Sequence, residues 1–440
     1  MTNFEIGLLS FPVLLALVFL RVPIGLAMLL VGAGGTYVVL GTTAVTLSQL
    51  KTLTFTTFAD NSLSIIPLFL LMGQFATLSG MSRGLFKAAE AWLGHRRGGV
   101  AMSAVGACAG FGAICGSSLA TAATMGQVAL PELRRYGYSG RLATGALAAG
   151  GTLGILIPPS VVLVIYAILT ETNVAKLFAA ALVPGVLAAF AYMVAIAIAA
   201  RRADETGQTL PRQPYGRRLR SLVQVWPVLV IFLLVVGGIY AGIFTPTEGA
   251  AVGAAGTGIA ALLAGNLGWI KLRDAMLATA GSTGMLFVII LGAGLFNGFL
   301  ALTQLPQNSA EWVAAQGFSP WTVLAVVLLL YLVFGCVMDS LSMILLTVPI
   351  FFPIMTALDF GMTAEEFGLW FGVLVLIVVE VGLITPPVGL NLFVINAMAK
   401  DVPIRDTFAG TLPFVAADIV RVFVLVLFPS ITLGLVWLIY

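Results

Sequence analysis

Two short motifs place consecutive prolines inside apolar segments: GILIPPS at 154–160 and GLITPPV at 382–388. Proline removes a backbone donor and clashes with the preceding helical turn, at a cost of ~3 kcal/mol or more. Each pair is therefore predicted to interrupt a helix and to free carbonyl groups. Carbonyl oxygens suit a small cation such as Na⁺, and the positive N-terminus of a helix that restarts suits an anionic group.

Two further apolar segments carry polar side chains. GAICGSSLAT holds Ser117 and Ser118, and GCVMDSLSM holds Asp339, Ser340 and Ser342. An acidic side chain at bilayer depth is expensive and usually functional. We therefore expect a cation-site role for Asp339, in preference to a role as a helix cap. The serines offer oxygen ligands or hydrogen bonds to a substrate, and local backbone bonding is an equally good reading of each.

Composition identifies the elements that must position these residues. The chain has 440 residues, 60% of them hydrophobic and only 9% charged, whereas soluble domains carry about 25% charged residues. Apolar runs long enough for a helical crossing, ~20 residues, recur along the chain. The expected fold class is an all-α polytopic membrane protein. The net charge of +3 implies no nucleic-acid partner, and a single histidine excludes the H-E-x-x-H metalloprotease motif.

Basic residues predict the orientation, because lysine and arginine near span ends stay cytoplasmic. The long polar linker 201–220 holds six arginines and is placed in the cytoplasm, with both termini in the periplasm. Among the lysines and arginines, only Lys51 and Lys176 then lie on the periplasmic side, and Arg421 lies within a membrane span. This solution requires the apolar segment at about 99–135, which is flanked by basic residues, to enter and leave on the same side as a re-entrant hairpin.

The two halves of the chain align with each other. Pro23 matches Pro246, PLFLLMG matches LFVIILG, FGAICGSS matches FGCVMDSL, and GILIPPS matches GLITPPV, at a nearly constant separation. If each half crosses the membrane an odd number of times, the second half has the opposite orientation in the membrane to the first. Such inverted repeats occur in many secondary transporters. Each copy is predicted to contain about five transmembrane helices, one of them broken, and one re-entrant hairpin. The predicted boundaries are 1–200 for the first repeat (hairpin about 99–135, broken helix about 141–170), 201–220 for the linker, and 221–440 for the second repeat (hairpin about 320–357, broken helix about 366–398).

The two helix breaks and the two hairpin tips are predicted to lie at the same depth in the membrane. Non-helical backbone is tolerated at that depth only where protein buries it or where it lines a water-filled cavity. We therefore predict that the breaks and tips form one shared binding site. The predicted sodium ligands are Ser117, Gly154, Ile157, Pro158, Asp339, Ser340, Gly382, Thr385 and Pro386. The predicted substrate-binding residues are Ser118, Thr121, Ser160, Ser342 and Asn391. Few acidic groups lie in the spans, so sodium coupling is favoured over proton coupling, which needs chains of such groups.

The chain resembles the large membrane subunit of the tripartite ATP-independent periplasmic (TRAP) transporters. Six motifs in order carry the resemblance: PLFLLMG (67–73), CGSSLATAATMG (115–126), AAGGTLGILIPPS (148–160), GIFTPTEGAAVGA (242–254), GCVMDSLSMILLTVPIFFPI (335–354) and GLITPPVGLNLFV (382–394). The resemblance implies sodium-driven import of small organic acids across the bacterial inner membrane. It also implies a periplasmic substrate-binding protein, a small four-helix membrane subunit as a separate partner, and an elevator mechanism of the ion-transporter-superfamily type.

Other classes stay open as alternatives. A single-component sodium/dicarboxylate symporter would need no binding protein, and a channel or an intramembrane enzyme ranks lower. Four acidic or basic residues have structural readings. Glu248 and Glu366 fit capping boxes that begin at Thr245 and Thr363, and Asp418 and Arg421 are spaced to pair on one helix face. For Glu380, bracing of the second break and a functional role are equally favoured.

Overall fold

The computed structural model describes residues 2–201 and 207–440, and every regular element in these ranges is a helix. The helices of the first range are α1 (Asn3–Phe19), α2 (Ile24–Leu40), α3 (Thr43–Ala59), α4 (Ile65–Leu78), α5 (Met81–Leu93), α6 (Gly99–Cys115), α7 (Ser118–Arg135), α8 (Gly140–Leu156), α9 (Val161–Thr170) and α10 (Val174–Ala199). A short 3₁₀ helix, Asn61–Ser64, precedes α4.

The second range begins within the polar linker, of which residues 202–206 lie outside the described residues. Its helices are α11 (Tyr215–Gln224), α12 (Trp226–Phe232), α13 (Gly238–Tyr240), α14 (Pro246–Leu263), α15 (Trp269–Thr303), α16 (Leu305–Ala315), α17 (Pro320–Gly335), α18 (Ser340–Thr356), α19 (Ala364–Gly382), α20 (Leu390–Met398), α21 (Ile404–Leu427) and α22 (Ser430–Ile439). A π-helical segment, Leu233–Gly237, joins α12 to α13.

Several helices are suited to a bilayer. Within the described ranges, four are individually long and apolar enough to cross a membrane: Asn61–Leu78, Val174–Ala199, Trp269–Thr303 and Ile404–Leu427. The bent pair α8 and α9, with 45° between its halves, is a fifth candidate. Large apolar side chains cover the outer surface, including Phe19, Phe190 and Leu438 at 76%, 64% and 81% exposure. Such a surface suits lipid rather than water. The all-α membrane fold class is therefore confirmed, while the inverted repeat stays a prediction.

The two predicted hairpins correspond to adjacent pairs of short helices. The pairs are α6 with α7 and α17 with α18, and the arms contain 16 to 18 residues. At 1.5 Å per residue each arm is at most ~27 Å long, less than the ~30 Å hydrocarbon core. Arms of this length suit a segment that turns back inside the membrane.

The helices pack in two groups that meet at α4 and α15. In one group α15 packs on α2 and α4, and α4 packs on α14. In the other, α8 lies among α6, α7, α10 and α21, and α17 packs on α19. The second halves of the broken helices cross to the opposite hairpins, because α9 packs on α18 and α20 packs on α7.

Two ion pairs join loops that the charge analysis places on the same side of the membrane. Lys176 Nζ lies 2.7 Å from Glu365 Oε1, and both residues are predicted to be external. Arg134 pairs with Asp401 between two loops that are predicted to be cytoplasmic. The contacts therefore agree with the predicted grouping of loops.

The linker packs on α5. Arg218 is 5% exposed and lies over the ring of Trp92, whose indole nitrogen donates to the Arg218 carbonyl at 3.3 Å. His95 is partly buried beside Arg218. Desolvation, followed by the charges of Arg218 and Arg212, lowers the pKa of His95. His95 therefore contributes to a contact between linker and helix.

Both predicted capping boxes are confirmed. Thr245 and Glu248 satisfy each other's backbone N–H groups at the start of α14, and Thr363 and Glu366 do so at the start of α19. Each reciprocal cap satisfies two donors that would otherwise lack a partner at a helix N-terminus. The structure thus gives Glu248 and Glu366 structural roles.

Candidate functional site

The second arm of each hairpin begins at a side-chain cap. Ser117 Oγ accepts from the Ala120 N–H at 3.4 Å at the start of α7, and Asp339 Oδ2 accepts from the Ser342 N–H at 3.1 Å at the start of α18. Asp339 therefore caps a helix, which is the structural alternative to its expected role as a cation ligand. Because the carboxylate is only half-buried, the cap leaves its other oxygen able to bind a ligand.

Each hairpin crosses the broken helix of its own half where two glycines meet. A methyl group at Gly112 would lie 2.5 Å from the Gly154 Cα atom, and one at Gly382 would lie 2.4 Å from the Gly335 carbonyl carbon. Neither contact can relax by turning a side chain, because both opposing atoms are backbone. The glycines therefore bring both hairpins against the breaks.

Gly382→Ala is expected to lower the stability of the purified protein by ~1–3 kcal/mol, the usual cost of overpacking. Gly34→Ala is the matched control, because a methyl group at this helical position meets nothing within 4 Å. Melting temperatures in one detergent compare the two variants. Equal melting temperatures would contradict the inference that the crossing requires glycine.

The two hairpin tips and both breaks line one cavity of about 290 Å³. Four predicted site residues supply its polar wall: Ser117, Ser118, Asp339 and Ser340. The opposite wall comes from α4 and α15, which contribute Leu70, Ser282, Met285 and Leu286. The cavity therefore lies where the two groups of helices meet.

Glu380 joins the two hairpins behind this cavity. Its side chain is 1% exposed. Ser118 Oγ donates to Oε2, and Ser340 Oγ donates to Oε1 at 2.6 Å. These serines are the first residues of α7 and α18, one from each half. Glu380 therefore contacts the hairpin tips, and not only the break that follows it.

A second cluster of predicted residues lies behind the first hairpin. A methyl group at Gly154 would lie 2.4 Å from Thr121 Oγ1, and one at Gly151 would lie 3.2 Å from Asn391 Nδ2. Asn391 Oδ1 is buried without a hydrogen-bond partner among the described residues, and Thr121 Oγ1 has only the weakly bonding Cys115 thiol beside it. A buried oxygen without a partner calls for an explanation, and a bound water or ion is one. These two oxygens fit sodium, which takes hydroxyl, amide and carbonyl oxygens.

The remaining predicted residues do not line the cavity. Ile157, Pro158 and Ser160 are buried at the first break, where Ser160 Oγ accepts from the Leu163 N–H at 3.4 Å. Thr385 Oγ1 donates to the Val381 carbonyl at 2.5 Å, and Pro386 is exposed. Ser342 is half-buried and gives its backbone N–H to Asp339. The peptide bonds Pro158–Pro159 and Pro386–Pro387 are both cis.

The predicted pairing of Asp418 with Arg421 is confirmed. Arg421 Nη2 lies 2.8 Å from Asp418 Oδ1, and both side chains are 2% exposed. The Tyr192 hydroxyl donates to Asp418 Oδ2 at 2.7 Å and lies 3.1 Å from Thr152 Oγ1. This network joins α8, α10 and α21, and its four residues are not among those that line the cavity.

Sequence reasoning missed the wall that α15 provides. Ser282 and Met285 lie in a long apolar helix with no proline, charge or motif at that point, so no local signal marks them. Leu70 lies within the quoted motif PLFLLMG, but its contact with the cavity depends on the packing of α4. The wall follows from tertiary structure alone.

Long apolar helices around a cavity that has polar residues on one wall, between interrupted helices, are typical of an integral membrane transport protein. The sequence model described as "Tripartite ATP-independent periplasmic transporter, DctM component" matches residues 11–431. The chain belongs to this family, which confirms the resemblance to the large TRAP subunit. The family consists of permease subunits and not enzymes. The spacing G-x-S-x-G, which in some hydrolases holds a nucleophilic serine between a strand and a helix, occurs at Gly80–Gly84. Here it lies at the start of α5, with no preceding strand among the described residues.

Individual relatives agree with this assignment. The chain is 40% identical over 382 residues to the C4-dicarboxylate TRAP transporter large permease protein DctM of Pseudomonas aeruginosa, covering 87% of each chain. It is 30% identical to the sialic acid TRAP transporter large permease protein SiaM of Vibrio cholerae, covering 85% of this chain and 86% of the other. The fold is similar to the crystal structure of the Alcanivorax borkumensis YdaH transporter, with a TM-score of 0.60, 15% identity, and coverage of 88% and 89%.

Proposed function

We propose that this permease subunit couples the inward movement of sodium to the import of a small carboxylate. The observation that carries the proposal is the single cavity lined by Ser117, Ser118, Asp339 and Ser340 from both hairpin tips. Hydroxyl and carboxylate oxygens suit sodium, and the N-termini of α7 and α18 beside them favour a carboxylate. The substrate class follows the C4-dicarboxylate and sialic acid relatives.

The mechanism that we propose moves one group of helices against the other. The cavity lies between the pair α4 and α15 and the two hairpins, so a sliding movement at this boundary would change the side from which the cavity is reached. The crossed contacts of α9 with α18 and of α20 with α7 favour movement of hairpins and broken helices as one block. This block would be the mobile part of an elevator.

The proposed orientation places the linker 201–220 in the cytoplasm and both termini in the periplasm, in the bacterial inner membrane. The Lys176–Glu365 and Arg134–Asp401 pairs support the grouping of loops on which this orientation rests, and the arginines of the linker choose the cytoplasmic side. A periplasmic substrate-binding protein would deliver the substrate, and a small four-helix membrane subunit would complete the transporter in the lipid bilayer. Selection of the substrate by the binding protein is consistent with the mostly neutral cavity.

Reconstitution in liposomes with a candidate small subunit and binding protein tests the proposal. We expect an inward sodium gradient to drive accumulation of a C4-dicarboxylate or sialic acid, and a proton gradient alone to drive none. Accumulation with the proton gradient alone would refute sodium coupling. Equal uptake without the binding protein would favour the single-component symporter.

A further inference from the structure

Glu380 is a buried carboxylate that forms no ion pair of its own among the described residues, although the charges of the Asp418–Arg421 pair act on it. Its side chain is 1% exposed, and no ion pair within 4.0 Å involves it among residues 2–201 and 207–440. Burial of a charge that has no partner is strongly destabilising in proteins. A cation that binds near this carboxylate would offset that cost, and the two serines that bond to Glu380, Ser118 and Ser340, also line the cavity.

The hydrogen bonds of Glu380 orient two hydroxyl groups. A serine hydroxyl has one hydrogen to donate and two lone pairs to accept with. Ser118 and Ser340 each give that hydrogen to Glu380. Their lone pairs are then left for the cavity, which both residues line. Each oxygen is thereby fixed as an acceptor, the form that a cation requires.

We propose that Glu380 is a shared positioning residue that orients Ser118 and Ser340 toward cations and so couples sodium binding at the two hairpin tips. The inference rests on the proposed sodium-coupled function. A single carboxylate accepts a hydrogen bond from both serines. A cation that holds one hydroxyl in place therefore also restrains the carboxylate to which the other hydroxyl donates. Removal of a carboxylate that hydrogen-bonds to a metal ligand, without binding the metal itself, typically lowers metal affinity by about 10–100-fold.

Glu380→Gln distinguishes orientation from packing because the side chains have nearly the same shape. The amide offers one acceptor oxygen and one donor nitrogen. One serine must therefore accept from the amide, which turns its hydrogen toward the cavity and against a cation. We expect the sodium concentration for half-maximal binding to rise by about tenfold. A Hill coefficient above one in the unmodified protein should fall to about one.

Sodium-dependent stabilisation of the purified subunit in detergent measures these quantities without transport. Melting temperature is recorded against sodium chloride, with choline chloride holding the ionic strength constant. Glu365→Gln is the matched control, because Glu365 lies in the same helix and pairs with Lys176 at the surface. We expect the control to keep the sodium midpoint and Hill coefficient of the unmodified protein.

The outcomes separate the inference from the proposed function. A Glu380→Gln protein with a lower melting temperature but an unchanged sodium midpoint and Hill coefficient would show a structural clamp and overturn the inference. Absence of sodium-specific stabilisation in the unmodified protein would overturn the proposed function as well. If Glu380→Gln does not fold, Ser118→Ala and Ser340→Ala replace it. Each should raise the sodium midpoint and lower the Hill coefficient, and unchanged curves in both would overturn the inference.

Discussion

Arg421→Ala is expected to destabilise the protein by ~3–5 kcal/mol, since removal of one partner of a buried ion pair leaves the other charge uncompensated. Asp418 would keep only the Tyr192 hydroxyl, 2.7 Å from Oδ2. The two pair members are 2% exposed, so the carboxylate left behind would have no contact with bulk water. Loss of the network should loosen α21 from α10 and α8, and the melting temperature in detergent should fall sharply.

The double variant Asp418→Leu with Arg421→Met is the control for this prediction. Replacement of a whole buried ion pair by apolar groups is often neutral or stabilising. We therefore expect the double variant to recover most of the melting temperature that Arg421→Ala loses. A single variant as stable as the unmodified protein would contradict the prediction, and a double variant as unstable as the single one would show that packing dominates.

Asp339→Asn is expected to reduce sodium-coupled uptake by roughly tenfold or more, the effect of losing ~1.4 kcal/mol of interaction with the ion. Asparagine caps a helix about as well as aspartate, so the hydrogen bond to the Ser342 N–H should persist. The substitution thus removes the charge that faces the cavity and keeps the start of α18. Uptake into liposomes under an imposed sodium gradient measures the effect.

Asp60→Asn provides the matched control. Asp60 caps the 3₁₀ helix Asn61–Ser64 by accepting from the Ser62 N–H at 2.8 Å, and it is exposed and outside the cavity. We expect uptake by this variant to match the unmodified protein. If Asp339→Asn retains the sodium dependence of the unmodified protein, the role of Asp339 is limited to the cap.

Local chemistry explains what the sequence could predict. Pro158 and Pro159 stop α8 and allow α9 to begin at Val161, because proline cannot continue a helix. Threonine followed three residues later by glutamate predicts a helix start at Thr245 without knowledge of its neighbours. The proline and capping signals are complete within a few residues. Apolar composition, taken over the whole chain, predicts the fold class without any knowledge of contacts.

Contacts between distant segments lack a local signal. Ser118 and Glu380 are separated by most of the chain, so their hydrogen bond depends on how α7 and α19 pack. For this reason sequence reasoning balanced two roles for Glu380 and did not relate it to either serine. The same argument applies to Ser282, whose place in the cavity depends on the position of α15. Candidate ligands were predictable by type, whereas their partners required the structure.

Cysteine labelling of the two hairpin tips tests the shared site most directly. Leu119→Cys and Leu341→Cys place one thiol beside each tip at positions that line the cavity and are not predicted ligands, in a background in which Cys108, Cys115 and Cys336 are replaced by alanine. A membrane-impermeant thiol reagent then reports access in the presence and absence of sodium. We predict that sodium slows labelling at both positions together. Rapid labelling of both from one side of the membrane, independent of sodium, would contradict a common sodium-binding cavity.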